Sequence, residues 1–322
     1  MLFQDILGHK EIIASLRSQL LHDMIAQSYL FAGPKGIGKR LLADRFARGI
    51  LCLGEDKKMV PCGSCASCIK AVSGNHPDLK IVDQSMLDGS IGIDEVRRLC
   101  AEASLKPYEA IRKVFIIDGI DRMTEEASNA FLKTLEEPNR STTFLLTADR
   151  VMKIPRTIIS RVQVLKCNAL PIADCEAVIS SVGGLDGAAS STAARFSCGA
   201  PGLVLGDGGK EYLALRERAL SGLERRTFFD SEAGAPRDEV IQMLEIALTW
   251  YRDILVLRSL GNSSGKLINA DRSEALRQFA SQNTLETARH AIEYVVTAIN
   301  EIQENANTKL ALTMLGARIG NR

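Results

Sequence analysis

Two groups of residues early in the chain have types and spacings that do chemistry. The first is Cys62-Gly63-Ser64-Cys65-Ala66-Ser67-Cys68, three thiols at C-x2-C-x2-C, with Cys52 ten residues upstream. Four thiolates are what a closed tetrahedral zinc site takes, and small intervening residues permit the tight turns that aim sulfurs inward. An iron–sulfur cluster also takes four cysteines, but no other pattern here points to redox chemistry. The expectation is structural zinc held by Cys52, Cys62, Cys65 and Cys68, with no open position for a substrate.

The second group is Gly33-Pro34-Lys35-Gly36-Ile37-Gly38-Lys39-Arg40, directly after the apolar run SYLFA. Strand, glycine-rich loop and helix are the setting in which backbone N–H groups and a helix N-terminus cradle phosphate, with Lys39 reaching the outer oxygens. The hydroxyl that normally ends such a loop and holds magnesium is replaced by Arg40. An acid at the end of a second apolar strand, Asp118 after VFII, completes the degenerate nucleotide site. The next residue is Gly119, which cannot act as a base, and Asp121 reads as a surface acid. ATP or ADP is therefore expected to bind weakly or not at all, and hydrolysis to be lost. Cys100, Cys167, Cys175 and Cys198 read as small core residues. His9, His22, His76 and His290 read as isolated, and no nucleophile triad or HExxH pair occurs.

These residues need a scaffold. The chain has 322 residues, more than one core usually holds, so two or three domains are expected. With 40 Lys and Arg against 39 Asp and Glu, the net charge is +1, which excludes nucleic-acid binding by bulk charge. At 46% hydrophobic and 25% charged residues the composition is that of an ordinary folded protein. No apolar run reaches the ~18 residues of a membrane span, and the N-terminus lacks a secretory pattern. The expected location is the cytoplasm, with cysteines as thiols or metal ligands.

Apolar runs of strand length at residues 28–32, 79–83, 113–117 and 142–147 alternate with helical patterns at 93–105 and 125–137. This predicts α/β with a mostly parallel sheet. After Arg161 strands become rare, and residues 154–160 read as a strand-edge segment. A small helical domain is expected at 168–207, closed by the Gly206-Asp207-Gly208-Gly209 loop, and an all-helical region at 208–322. There, 240–260 is apolar nearly all round, while Leu285, Ala288, Ile292, Val295, Val296, Ile299 and Ile302 mark one helix face. Lys106, Arg112 and Lys113 read as solvated surface charge.

With the phosphate loop, the cysteine insertion after its helix, and Ala127-Ser128-Asn129-Ala130-Phe131-Leu132-Lys133-Thr134-Leu135-Glu136-Glu137-Pro138, the chain resembles bacterial DNA polymerase III clamp-loader subunits of the AAA+ class. Ile154 to Arg161, reading IPRTIISR, looks like the family's Ser-Arg-Cys segment, with Val162 in place of cysteine. Asn305-Ala306-Asn307 before Leu310-Ala311-Leu312 looks like its C-terminal collar motif, and His76-Pro77-Asp78-Leu79 fits its shorter, non-motor members. The resemblance implies an AAA+ P-loop domain with a zinc insertion (1–167, zinc module 52–68), a helical lid (168–207) and a helical collar (208–322). It implies a polymerase-holoenzyme component without catalysis of its own, working with gamma/tau and delta type subunits, the sliding clamp and primed DNA. It also implies that Arg161 acts in trans as an arginine finger, and that Leu203 stands where active members place a nucleotide-contacting arginine. The competing readings are an active gamma/tau-like motor ATPase, a zinc-containing nucleoside monophosphate kinase, and a nucleotide-binding scaffold outside replication.

Overall fold

The computed structural model describes residues 3, 6–56, 60–82, 90–184, 187–232, 234–261 and 266–320. The chain divides into two compact units, Met1–Asp174 and Cys175–Arg322. The boundary falls in the first turn of one helix, Ile172–Gly183.

The first unit is built on a five-stranded parallel sheet of order β2-β3-β4-β1-β5. In chain order its elements are α1 (Lys10–Leu21), β1 (Ser28–Ala32), α2 (Lys39–Leu51), α3 (Ala66–Val72) and β2 (Leu79–Val82). There follow α4 (Ile93–Ala103), β3 (Lys113–Ile117), α5 (Glu125–Glu136), β4 (Thr142–Ala148), α6 (Arg156–Ile159) and β5 (Gln163–Lys166). Strands β1, β3 and β4 are buried along their whole length, as their predominantly apolar sequences fit in a sheet covered on both faces. One face packs on Leu16, Leu42, Phe46 and Ala47, contributed by α1 and α2. The other packs on Val96, Leu99, Phe131 and Ile158, contributed by α4, α5 and α6. Helix α5 starts where Thr124 caps it, its side-chain oxygen accepting the Ala127 N–H at 3.2 Å, with Glu125 and Glu126 in the favoured first turn.

Two features of this unit depart from the sequence reading. Strand β5, which pairs parallel with β1, carries a single buried residue, Leu165, so it lacks the apolar run that marks the others. Residues 154–160 are not a strand edge. They hold α6, started by Pro155, whose fixed φ suits a helix entry, with Ile158 turned into the core. The expected end of β2 at Asp83 lies outside the described residues.

Among its described residues the second unit is helical: α7 (Ile172–Gly183), α8 (Ala188–Phe196), α9 (Gly206–Glu224), α10 (Phe228–Ser231), α11 (Arg237–Leu260), α12 (Ser273–Gln282), α13 (Leu285–Gln303) and α14 (Thr308–Gly320), with short 3-10 turns between them. The glycine-rich segment read as a closing loop is the first turn of α9, whose propagation is carried by the better helix formers that follow. Helix α11 is central, with Val240, Leu244, Ala247 and Trp250 fully buried, and α13 packs Ala288, Val295 and Ile302 into the same core. Leu285 and Val296 of the anticipated α13 face are exposed instead; Ala291 and Ala298 take the inner positions, so the buried stripe is rotated toward small residues.

Candidate functional site

The phosphate loop lies where β1 ends and α2 begins, at the carboxyl edge of the sheet, the edge at which parallel α/β folds bind ligands. Gly33 is fixed by close packing: a Cβ there would sit 2.2 Å from the Cys167 carbonyl oxygen at the end of β5. Its N–H donates to the Ala148 carbonyl at 3.1 Å, tying the loop to the end of β4. Gly38 caps α2, and Pro34 and Lys35 are exposed.

Lys39 does not project into solvent. Its side chain is nearly buried, and its Nζ donates to the carbonyls of Gly33 at 2.8 Å and Pro34 at 2.7 Å, with the Asp149 Oδ1 at 2.7 Å. Arg40 is half-buried, and its Nη1 is buried without a hydrogen-bond partner. His9, read from sequence as isolated, bonds through Nε2 to the Ile37 carbonyl at 3.0 Å, so the residue that begins α1 touches the loop.

Asp118, next after β3, accepts a hydrogen bond from the Thr147 hydroxyl, and the Thr147 Oγ1 in turn accepts the Gly119 N–H at 3.0 Å. Gly119 has φ +76° and ψ +54°, a left-handed conformation that glycine adopts without strain, so glycine here serves the turn. Asp121 is no surface acid. It is partly buried and accepts the backbone N–H groups of Asp149 and Arg150 at 3.3 and 3.2 Å. Burial, and then the negative charge of Asp149, push its carboxyl above the ordinary aspartate range.

The four cysteines picked from spacing converge. The Sγ atoms of Cys52, Cys62, Cys65 and Cys68 all lie within 4.8 Å of one another. Tetrahedral zinc with Zn–S of ~2.3 Å implies sulfurs about 3.8 Å apart, and Cys62 and Cys68 stand at 4.0 Å. Backbone N–H groups point at the sulfurs: Gly54 and Cys62 toward Cys52 at 3.3 Å each, Cys65 toward Cys62 at 3.3 Å and Cys68 toward Cys65 at 3.4 Å. The N–H groups of Ser64 and Cys65 lower the Cys62 thiol to about 6, whereas burial raises those of Cys52 and Cys68. Four sulfurs at this spacing, with donors already aimed at them, fit a divalent soft cation, and the cluster can hold zinc.

The cysteine module is anchored to the sheet by residues that spacing alone did not single out. Ser67, between Cys65 and Cys68, donates to the Leu51 carbonyl, so its oxygen accepts from the buried His76 Nε2 at 2.9 Å. That assigns the proton to Nε2, consistent with Nδ1 accepting the Asp78 N–H at 3.0 Å. Asp78 is fully buried and accepts the N–H groups of Tyr108, Glu109 and Ala110 at 2.6, 2.8 and 2.8 Å. Burial acts to raise its carboxyl, but the three N–H groups outweigh it and hold the carboxyl below the ordinary value.

Arg161 follows α6. Its Nη2 donates to Glu136 Oε1 at 2.6 Å and its Nη1 to the Thr157 carbonyl at 2.8 Å and the Ser160 hydroxyl at 3.1 Å. Leu203 lies in the second unit, in a 3-10 turn, half-buried. Of the residues read as surface charge, Lys113 is buried and donates to the Glu102 carbonyl at 3.3 Å. Among the cysteines read as core, Cys167 and Cys175 are buried, Cys100 is half-buried and Cys198 is exposed.

A family model described as DNA polymerase III, delta subunit, matches residues 8–171. The chain is 30% identical over 313 residues to DNA polymerase III subunit delta' of Bacillus subtilis, with 92% of each chain covered. It is 29% identical over 266 residues to the subunit of the same name from Haemophilus influenzae, covering 79% of this chain and 78% of that one. Over 161 residues it is 36% identical to DNA polymerase III subunit tau of Bacillus subtilis, a match to 50% of this chain and 28% of that protein. No helix among the described residues is long and apolar enough to cross a membrane.

Proposed function

The chain belongs to the delta-prime family of DNA polymerase III clamp-loader subunits, and from that premise we propose that it is a stator, supporting ATP hydrolysis by a neighbour without performing it. The observation that carries this reading is Gly119. The position after Asp118, where a base would polarise water, has no side chain, and its left-handed backbone suits the glycine that stands there. Arg40 in place of a magnesium-holding hydroxyl removes a second function.

On this reading the chain works in the cytoplasm with gamma/tau and delta type subunits to load the sliding clamp onto primed DNA. Its segments serve as an AAA+ domain (1–167), a lid (168–207) and a collar (208–322), the collar being the main contact with sister subunits. The exposed Leu285, Val296 and Leu310 of α13 and α14 support an outward apolar surface there. Zinc, when bound by the four cysteines, closes the loop of residues 52–68 and takes no part in chemistry. The kinase alternative gives no role to the helical second unit and no account of the match along 92% of a delta-prime subunit.

Arg161 is the residue we assign to the trans role. A guanidinium stays charged and offers paired donors to phosphate oxygens, and fingers of this kind contribute ~10³ to 10⁵ in rate at a single site. Its fork is held by Glu136 in the isolated chain, an exposed pair that contributes no more than about 1 kcal/mol and is readily exchanged for phosphate. The test is clamp loading by the reconstituted complex carrying Arg161→Ala at matched concentration. Assembly is expected to persist while loading and DNA-stimulated ATPase fall, with Arg161→Lys restoring only part. Unchanged loading by the Ala variant would make Arg161 structural.

A further inference from the structure

An ammonium group has three N–H donors and no acceptor. In this chain all three donors of Lys39 have partners within the protein: the Gly33 carbonyl at 2.8 Å, the Pro34 carbonyl at 2.7 Å and the Asp149 carboxylate at 2.7 Å. No donor is left for a phosphate oxygen, and the amine is too enclosed for a ligand to approach without displacing a partner. The two carbonyls belong to the loop itself. The partner that mimics a ligand is Asp149, which offers what a phosphate offers, an anionic oxygen at hydrogen-bond distance.

The fold fixes this arrangement. Parallel pairing sets Ala32 of β1 opposite Ala148 of β4, and the Gly33 N–H to Ala148 carbonyl bond extends that register by one step. The residue that follows β4 is Asp149, so the register delivers its carboxylate to the base of the loop. Asp121 holds it there by accepting the N–H groups of Asp149 and Arg150, a positioning role for the acid that the hydrolytic reading leaves without a task.

The geometry points to Asp149 as an internal anion that takes the place of nucleotide phosphate on Lys39, so that the loop excludes nucleotide unless this ion pair opens. The inference rests on reading the loop as a degenerate nucleotide site, and it adds a cause distinct from Arg40 and Gly119. Those substitutions remove magnesium and the base, which bear on hydrolysis; Asp149 competes with the phosphate itself, which bears on binding.

Equilibrium dialysis of the full chain against radiolabelled ADP and ATPγS tests it. The proteins are the wild type, Asp149→Asn, Asp149→Ser and the double variant Asp149→Asn with Lys39→Ala, each first shown to unfold cooperatively. Asparagine and serine keep a hydrogen-bond acceptor for Lys39 and remove the charge. The wild type is expected to bind only at millimolar nucleotide, the Asn and Ser variants at least ~10-fold tighter, and the double variant no better than the wild type. Micromolar binding by the wild type, or Asn and Ser variants that bind no more tightly, would overturn the proposal. Hydrolysis followed in the same samples separates the two readings. Turnover by the wild type would sink the stator assignment, whereas the affinity ratio between wild type and Asp149→Asn alone decides the role of Asp149.

Discussion

Helix α2 separates two loops of opposite chemistry. At its N-terminus the phosphate loop has the shape to hold an anion, yet its lysine is already satisfied by two carbonyls and Asp149. Beyond its C-terminus Cys52 begins a cluster shaped to hold a cation, in which four sulfurs lie within 4.8 Å of one another. The cysteine spacing is that of a four-thiolate site, and the loop keeps its glycines and lysine with Arg40 in place of the closing hydroxyl. What separates them is whether the chain supplies the partner: the segment after β4 brings Asp149 to the loop as its anion, whereas the cluster calls for a cation from outside.

The comparison is broken most forcefully at the cluster. Cys68→Ser is expected to lower zinc affinity by more than about 100-fold, since even outer partners of a metal ligand cost ~10–100-fold. Metal analysis of reduced protein purified without added zinc should fall from about one per chain to well below that, and residues 52–68 should lose protection from protease. A wild-type stoichiometry near zero would remove the contrast altogether.

At the other loop, Lys39→Ala in nucleotide-free protein is expected to cost roughly 2–3 kcal/mol, because it leaves a partly buried carboxylate and two carbonyls without their donor. The urea midpoint reads this directly. A change below about 0.5 kcal/mol would mean that Lys39 waits idle for a ligand, which would make the two loops alike.

Asp78 extends the contrast to the strand that follows the cysteine module, since it too is an ion satisfied from within. Its carboxyl is held below the ordinary 3.8, so the stability it contributes is complete above that value and is lost as pH falls through the lower folded value. Asp78→Asn is expected to cost about 1.5 kcal/mol at neutral pH and to give a shallower decline of stability from pH 4 downward. Equal acid limbs for the two proteins would contradict it. The smallest effect is expected at Glu136→Gln, within about 0.5 kcal/mol in thermal unfolding, because its pair with Arg161 is exposed.

Much of this was legible in the sequence where local pattern and structure coincide. Strands β1, β3 and β4 are short, mostly apolar runs, α5 opens with Glu125 and Glu126 at the start of its apolar period, and the cysteine spacing brought all four sulfurs together. Several of the misses in the first unit share a physical cause, which is that they depend on what lies across the sheet. Strand β5 has one buried side chain and is a strand because β1 offers it an edge. Asp149 reaches Lys39 through the register of β4 against β1, and no spacing along the chain encodes that. Asp121 looked solvent-facing because its partners are backbone N–H groups contributed by a segment 28 residues later. The link from His76 through Ser67 to Leu51 joins three places in the chain, and His76 read as isolated because its side-chain partner Ser67 is contributed from the cysteine module rather than by a neighbour in sequence.

The claim that this subunit supports hydrolysis without performing it is tested most directly by steady-state ATPase measurements on the purified chain with magnesium, beside Lys39→Ala. No turnover above background is expected from either protein. Turnover by the wild type at ~1 per second or faster, abolished by Lys39→Ala, would contradict the account.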